Sequence, residues 1–306
     1  MKENKFFFKE GNLDINQIKN TGSFLEGKGI KNADTTLIML LSHFTEISFS
    51  EIRNKIIMLK SGIKESLIKL DFEMATNINH AILALSKGEP VQYITGKTDF
   101  YGNDFMVNSS VLIPRFDTET IIDTVLPLLS DNCKILDLCC GSGCIGITLL
   151  LEAMKKGINP ICFFADFSKE ALSVTKENIK LHNVDNQSVT LIHDVKKDFL
   201  LDEFDIIISN PPYIPKEDIK NLSPEVLKEP VSALDGGEDG LDFYRIIAEK
   251  YKNNVKNNGF LVFECGIGQF EDICNIMKEN DWSEIGMKKD LSNIERVVFG
   301  KNYRKT

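Results

Sequence analysis

Asn210-Pro211-Pro212-Tyr213 is the segment of this chain best suited to hold a reacting group. Two consecutive prolines fix φ and remove two backbone N–H donors. The residue before each proline is held extended as well. The product is a stiff loop that presents carbonyl oxygens, one Asn side chain and an aromatic ring. An amide or amino nitrogen needs acceptors to orient it, so this loop is a receptor for an NH2 group. The bland alternative is an ordinary proline-rich turn. Phe204-Asp205-Ile206-Ile207-Ile208-Ser209 precedes it and reads as a buried parallel strand. The tetrapeptide therefore lies just past the carboxyl end of a strand, where open α/β sheets bind their ligands.

A second constellation has the same placement. Asp137-Leu138-Cys139-Cys140-Gly141-Ser142-Gly143-Cys144-Ile145-Gly146 follows the strand 134–138 and opens a helix. A Gly-x-Gly turn there lets a ligand approach the backbone at a helix N-terminus. Taken alone, Gly141, Gly143 and Gly146 fit a nicotinamide cofactor about as well as S-adenosylmethionine. The next strand ends at Asp166, where a carboxylate can accept from both ribose hydroxyls. Its alternative use is as an N-cap, a task that Ser168 could take instead. Asp194 ends the third strand, where an adenine amino group would need an acceptor, although a surface turn fits the spacing too. The fourth strand separates the two cofactors. Hydride transfer needs an acid–base pair, and none is obvious among His43, His80, His182 and His193. Methyl transfer needs an oriented nucleophile, which Asn210-Pro211-Pro212-Tyr213 supplies.

The elements that position these residues read as alternating helices and strands from about residue 117. They are helix 117–130, strand 134–138, helix 144–156, strand 160–165, helix 169–182, strands 189–193 and 204–209, helix 241–256, strand 259–264 and helix 268–280. This order indicates a parallel sheet with crossover helices. Segments 285–288 and 296–299 read as a closing antiparallel pair. Ahead of them the chain is helical. Ile15, Ile18 and Leu25, then Leu37, Leu40, Leu41 and Phe44 with Asp34 as a cap, then Met74, Ile78, Ile82 and Leu85 fall at helical spacing. Between the two regions, Gln92-Tyr93-Ile94-Thr95 and 100–107, with Gly102-Asn103 as the turn signal, read as a β-hairpin linker. The expected domains are a helical substrate-docking domain over 1–87, the hairpin linker over 88–116 and an α/β domain over 117–306.

Composition narrows the class. The chain has 306 residues, 42% hydrophobic and 26% charged, the profile of a folded globular protein. Its net charge of -9 weighs against a dedicated nucleic-acid binder. No secretory h-region follows Met1, and no apolar run approaches the ~18 residues of a membrane span, so a cytoplasmic location is expected. Seven cysteines without an export signal argue for reduced thiols. Cys139, Cys140 and Cys144 lack the CxxC spacing of a metal site, and none is expected.

The chain resembles the HemK/PrmC protein-(glutamine-N5) methyltransferases, which modify the glutamine of the Gly-Gly-Gln motif in peptide chain release factors. The resemblance covers roughly residues 30 to 300. It is carried by Gly88-Glu89-Pro90-Val91-Gln92-Tyr93-Ile94-Thr95-Gly96, Phe100-Tyr101-Gly102, Val111-Leu112-Ile113-Pro114-Arg115, Asp117-Thr118-Glu119, Asn210-Pro211-Pro212-Tyr213-Ile214, Glu229-Pro230 and the run from Ala233 to Tyr244. The Asn-Pro-Pro-Tyr motif is shared with amino-methyltransferases acting on adenine or guanine. The Ile-Pro-Arg and Asp-Gly-Gly-Glu-Asp-Gly segments are more specific to the glutamine enzymes. Two positions depart from the pattern. Phe116 stands where a proline is usual, and Cys139 and Cys140 occupy the first two places of the Gly-small-Gly-x-Gly turn.

The resemblance implies a class I S-adenosylmethionine-dependent methyltransferase fold, a Rossmann-like seven-stranded sheet. It places Gly141, Ser142 and Gly143 beside the methionine moiety, Asp166 at the ribose, and Asp194 and Val195 at the adenine. Asp137, Cys139, Cys140, Phe167 and Asn210 complete the cofactor set. Asn210, Pro211, Pro212 and Tyr213 are the expected catalytic loop, with Phe100 and Arg115 on the substrate side. The partner implied is a release factor, and a monomer is expected. Rival readings are an amino-methyltransferase of a flipped nucleic-acid base, a cofactor-binding module without catalysis, and a methyltransferase for a ribosomal-protein glutamine.

Overall fold

The computed structural model describes residues 7–63 and 68–304. The ends of the chain and 64–67, which fall in the expected 1–87 and 117–306 domains, lie outside them. The chain divides into two units, 1–96 with 224–228, and 97–223 with 229–306. The boundary at Gly96 cuts the expected 88–116 linker in two, so the linker is not a unit of its own.

The first unit is helical. It contains β1 (Gly11–Asn12), α1 (Ile15–Gly27), α2 (Ala33–Thr45), α3 (Phe49–Lys60), β2 (Lys69–Leu70), α4 (Phe72–Leu85) and α5 (Val91–Thr95). Asp14, Ser48 and Asp71 cap α1, α3 and α4 by accepting backbone N–H groups. The α2 cap is Asn32, not Asp34, which sits in the first turn of the helix. A carboxylate there still favours the positive end of the helix dipole. Ile18, Leu25, Leu37, Leu40, Leu41, Ile78, Ile82 and Leu85 are all buried in one core. The sequence reading missed α3, which buries only Ile52 and Ile56 and so carries a weak apolar stripe.

Residues 92–95 are helical rather than a strand. Gly96, with φ +72°, ends that helix. The hairpin comprises β3 (Lys97–Phe100) and β4 (Asn103–Met106). Its two-residue turn is Tyr101-Gly102, at φ +54° and +73°, one step earlier than Gly102-Asn103. Both turn residues must be left-handed to match the strand twist. Tyr101 is held so by Glu119 Oε1, which accepts its N–H at 2.8 Å, and by Asp123, which accepts its hydroxyl at 2.9 Å.

The second unit is built on one sheet. Its elements are α6 (Glu119–Val125), β5 (Lys134–Leu138), α7 (Cys144–Lys155), β6 (Ile161–Asp166), α8 (Lys169–Leu181), β7 (Ser188–Ile192), β8 (Phe204–Ser209), α9 (Asp242–Lys250), β9 (Val255–Glu264), α10 (Phe270–Glu279), β10 (Ser283–Lys289) and β11 (Glu295–Lys301). The strand order is β10-β11-β9-β8-β5-β6-β7, with β5 to β9 parallel and β11 antiparallel to both neighbours. β10 and β11 are the expected closing pair.

Two helix ends differ from expectation. The helix expected over 117–130 is α6 flanked by 3-10 turns, because Pro127 cannot continue an α-helix. The helix expected over 241–256 stops at Lys250. Asn254 donates to the carbonyls of Leu200 and Asp202 at 3.0 and 2.8 Å, which pins the chain there, and β9 begins at once.

The chain runs from β5 outward to β7, then crosses to β8 on the other side of β5. That reversal is a topological switch point, and it opens a crevice beyond the carboxyl ends of β5 and β8. Leu138 pairs with Ala165 on one side and Ser209 on the other, so the loops after β5, β6 and β8 start level with one another.

Candidate active site

The loop after β5 alternates in hand. Cys139, Gly141 and Gly143 have φ of +59°, +54° and +78°. This exposes the loop backbone, and α8 and β6 fix it from behind. Thr175 donates its hydroxyl to the Gly141 carbonyl at 2.7 Å, and Asn178 donates to the Ser142 carbonyl at 2.9 Å. Cys140 donates its N–H to the Ala165 carbonyl at 3.2 Å. A Cβ on Gly146 would lie 2.5 Å from the Phe164 ring, so this glycine serves helix-to-sheet packing. A Cβ on Gly141 would meet nothing within 4 Å, which leaves open space beside the loop.

Asp166 ties this loop to the next strand. One oxygen accepts the Gly141 N–H and the other the Ser168 N–H, each at 3.0 Å. Burial raises its pKa, and these backbone donors pull it back. The N-cap of α8 is Ser168, whose hydroxyl accepts from Ala171, so Asp166 is not spent as a cap. Asp137 lies beneath the loop, fully buried, and accepts the Gly146 N–H at 3.1 Å. Burial pushes it up to about 7, and its other oxygen has no partner among the described residues.

Two adjoining clefts open at the carboxyl ends of the strands and share Cys139, Asp166, Phe167, Ser232 and Phe243. The inner one brings together Arg115, Cys139, Cys140, Gly141, Ser142, Asp166, Phe167, Asn210 and Pro212 of the expected site residues. The outer one adds Asp194 and Val195. Asp194 accepts the Lys196 N–H and pairs with Lys197, each at 2.9 Å, and the Lys197 bond lowers its pKa. Lys196 Nζ lies 4.6 Å from the centre of the Phe243 ring at the same cleft.

Several expected residues stand elsewhere. Phe100 was expected on the substrate side, but it is 1% exposed and packs edge-on against Phe105 in the core. It ends a strand with its side chain turned inward, so its ring is closed to a substrate. Asp137 and Gly143 support the loop without lining either cleft. Pro211 and Tyr213 do not line the clefts either. Tyr213 packs on the core that includes Tyr244 and Phe263, and its carbonyl accepts from Gln269 Nε2 at 2.9 Å. A Cβ on Gly236 or Gly240 would strike the Tyr213 backbone, which explains glycine at both positions.

Arg115 is held by Glu229, which is 4% exposed and also accepts the Ile113 N–H at 3.1 Å. Phe116, at the place of the usual proline, is 76% exposed and begins a 3-10 turn. All seven cysteines are free. Cys139, Cys140 and Cys144 line the inner cleft, and burial raises all three thiols, Cys144 to about 12. They stay neutral. Among the described residues, no three His, Cys, Asp or Glu side chains come together to hold a metal.

The comparisons agree with this geometry. Residues 109–241 match the family model for the methyltransferase small domain. The chain is 33% identical to the release factor glutamine methyltransferase of Fusobacterium nucleatum, over 98% of this chain and 82% of that protein. The chain belongs to the release factor glutamine methyltransferase family. A second member, from Geobacter sulfurreducens, is 39% identical over 71% of this chain and 74% of its own. Among solved structures, the hMettl16 catalytic domain, in complex with MAT2A 3'UTR hairpin 6, shares the fold. Its TM-score is 0.52 at 12% identity, covering 75% of this chain and 83% of that one. The fold is that of class I S-adenosylmethionine-dependent methyltransferases.

Sequence reasoning missed Thr118, Ser232, Phe243 and Gln269 as linings or supports of the clefts, and Glu264, buried at the end of β9. Glu264 had a readable signal. It closes the apolar strand Phe260-Leu261-Val262-Phe263 with an acid, as Asp166 closes its own.

Proposed function

We propose that this protein transfers a methyl group from S-adenosylmethionine to the side-chain amide nitrogen of the glutamine in the Gly-Gly-Gln motif of peptide chain release factors. One observation carries the reading. Asn210 opens into the same cleft as Asp166 and the glycine loop, at the switch point of the sheet, in a chain that matches this family over 98% of its length.

The cleft suits the cofactor. Its backbone wall is left open at Gly141, its buried carboxylate at Asp166 opens on both clefts, and the charged residues lining the inner cleft are Arg115 and Asp166. Gly141 and Ser142 would flank the methionine moiety, Asp166 the ribose, and Asp194 and Val195 the adenine. When bound, the cofactor supplies an electrophilic methyl group.

The chain's own part is orientation. A carboxamide nitrogen is a poor nucleophile because its lone pair is delocalised into the carbonyl. The Asn210 side-chain oxygen accepts one N–H from it, which fixes its direction and concentrates electron density on nitrogen, and Pro211 stiffens the loop behind Asn210. Fixing reactants in line is worth ~7–11 kcal/mol of a barrier, so no strong general base is required. Gln269, bonded to the Tyr213 carbonyl, and Gly240 hold the loop in place. Pro212 closes the cleft wall beside Asn210.

The helical unit carries no reactive constellation, and its proposed role is to dock the protein substrate. A cytoplasmic, monomeric enzyme goes with this reading. No described helix is long and apolar enough to cross a membrane.

The test uses labelled S-adenosylmethionine with a release factor, the same factor with its Gly-Gly-Gln glutamine replaced, ribosomal proteins and RNA. Label in the intact release factor alone is the expected result. Label in RNA or in the glutamine-replaced factor overturns the reading.

A further inference from the structure

Asp194 is bracketed by two side chains from the far end of α9. Lys250 Nζ donates to the Val195 carbonyl at 2.8 Å. The hydroxyl of Tyr251, the residue after α9, is hydrogen-bonded to His193 Nε2 at 2.5 Å. The residues before and after Asp194 are therefore both held, by two consecutive residues. Tyr251 and His193 are 1% and 4% exposed. His193 lines the outer cleft and donates its N–H to the Asp166 carbonyl at 2.9 Å.

The Lys250 bond acts on Asp194 itself. The Val195 carbonyl and the Lys196 N–H belong to one planar peptide unit and point in opposite directions. Asp194 Oδ1 accepts that N–H at 2.9 Å. Holding the carbonyl therefore holds the plane of the peptide, and with it one oxygen of the Asp194 carboxylate. The other oxygen pairs with Lys197, whose side chain is 82% exposed, and an exposed ion pair fixes little. Lys250 is partly buried, and its ammonium lies 4.5 Å from the centre of the Phe199 ring and 5.7 Å from that of Tyr251. Both rings favour the cation where it stands.

We propose that Lys250 and Tyr251 are positioning residues for the base of the cofactor. They hold Asp194 at the angle at which its carboxylate accepts the adenine amino group, and so set the selectivity for adenine over a base with a carbonyl at that place. The inference rests on the placement of adenine at Asp194 and Val195. Neither Lys250 nor Tyr251 lines a cleft, so each acts through the loop it holds.

The experiment is calorimetric titration of the full chain with S-adenosylhomocysteine and with S-inosylhomocysteine, in which a carbonyl replaces the amino group. The wild type should prefer the first by ~10-fold or more, because a carboxylate accepts from an amino group and repels a carbonyl. Lys250→Met keeps the stem and loses the donor, and Tyr251→Phe keeps the ring and loses the hydroxyl. Each should cut the preference ~3–10-fold by weakening the adenosyl ligand alone. Lys250→Arg, which keeps a donor, should retain most of the preference. An unchanged preference in either Lys250→Met or Tyr251→Phe overturns the inference. So does an equal weakening of both ligands, the mark of a general loss of structure, or a Lys250→Arg protein as unselective as Lys250→Met. A wild type that binds both ligands equally would instead strike the placement of adenine at Asp194.

Discussion

The loops after β5 and β8 leave neighbouring strands, paired at Leu138 and Ser209, and are built from opposite materials. One is Cys139-Cys140-Gly141-Ser142-Gly143, three of whose residues take left-handed φ. The other is Asn210-Pro211-Pro212-Tyr213, where φ is locked by proline rings. The first has backbone that a ligand can approach closely. The second has backbone that cannot move or donate, so it presents acceptors. The supports differ in the same sense. The glycine loop is tied through its carbonyls by side chains of α8, Thr175 and Asn178. The proline loop is tied through Tyr213 by Gln269 and packed against glycines. In the proposed function, a crevice with one wall of each kind separates holding the methyl donor from aiming its acceptor.

Substitutions on each wall should therefore break different steps. The largest effect is expected on the proline side. Asn210→Ala should lower kcat about 10²–10³-fold, the usual cost of losing one aligned polar group, and leave cofactor affinity within a few-fold. Calorimetric titration and turnover on the same preparation check this. On the opposite wall, Asp166→Asn removes a charged acceptor, so cofactor affinity should fall ~10–100-fold, with kcat at saturation much less affected. Equal loss of kcat and affinity in both variants would mean that the walls are not separable.

Smaller effects sharpen the glycine side. Gly143→Ala puts a Cβ 2.8 Å from Thr175 Cγ2 at φ +78°, and should cost about 2–3 kcal/mol of stability. Gly141→Ala meets no neighbour and should cost less, a difference visible as a lower Tm for the first variant. Smallest of all, Cys139→Gly relieves a left-handed non-glycine residue. It should stabilise the chain by up to about 1 kcal/mol, because the strain relieved slightly exceeds the added unfolded-state freedom. A loss of stability would mean that the Cys139 side chain contributes packing that outweighs its backbone strain.

The strand ends explain what was legible in the sequence. Apolar runs ending at Leu138, Asp166 and Ser209 mark buried parallel strands, and their order fixes where the loops meet. The helical core positions were readable because a 3.6-residue period is a local property. What escaped depended on distance along the chain. Thr118 and Asn210 lie 92 positions apart, and only the fold brings them together. Arg115 finds Glu229 rather than a neighbouring acid for the same reason. Phe100 failed as a substrate contact because the side toward which its strand turns it is set by the turn at Tyr101-Gly102, one residue from where the sequence put it.

The most direct test of the central claim is where the methyl group goes. A release factor treated with this protein and S-adenosylmethionine carrying a deuterated methyl is digested and its peptides are fragmented by tandem mass spectrometry. The account predicts one deuterated methyl on the side chain of the Gly-Gly-Gln glutamine, absent when Asn210→Ala replaces the wild-type enzyme. A methyl group on another residue, or undiminished modification by Asn210→Ala, would contradict it.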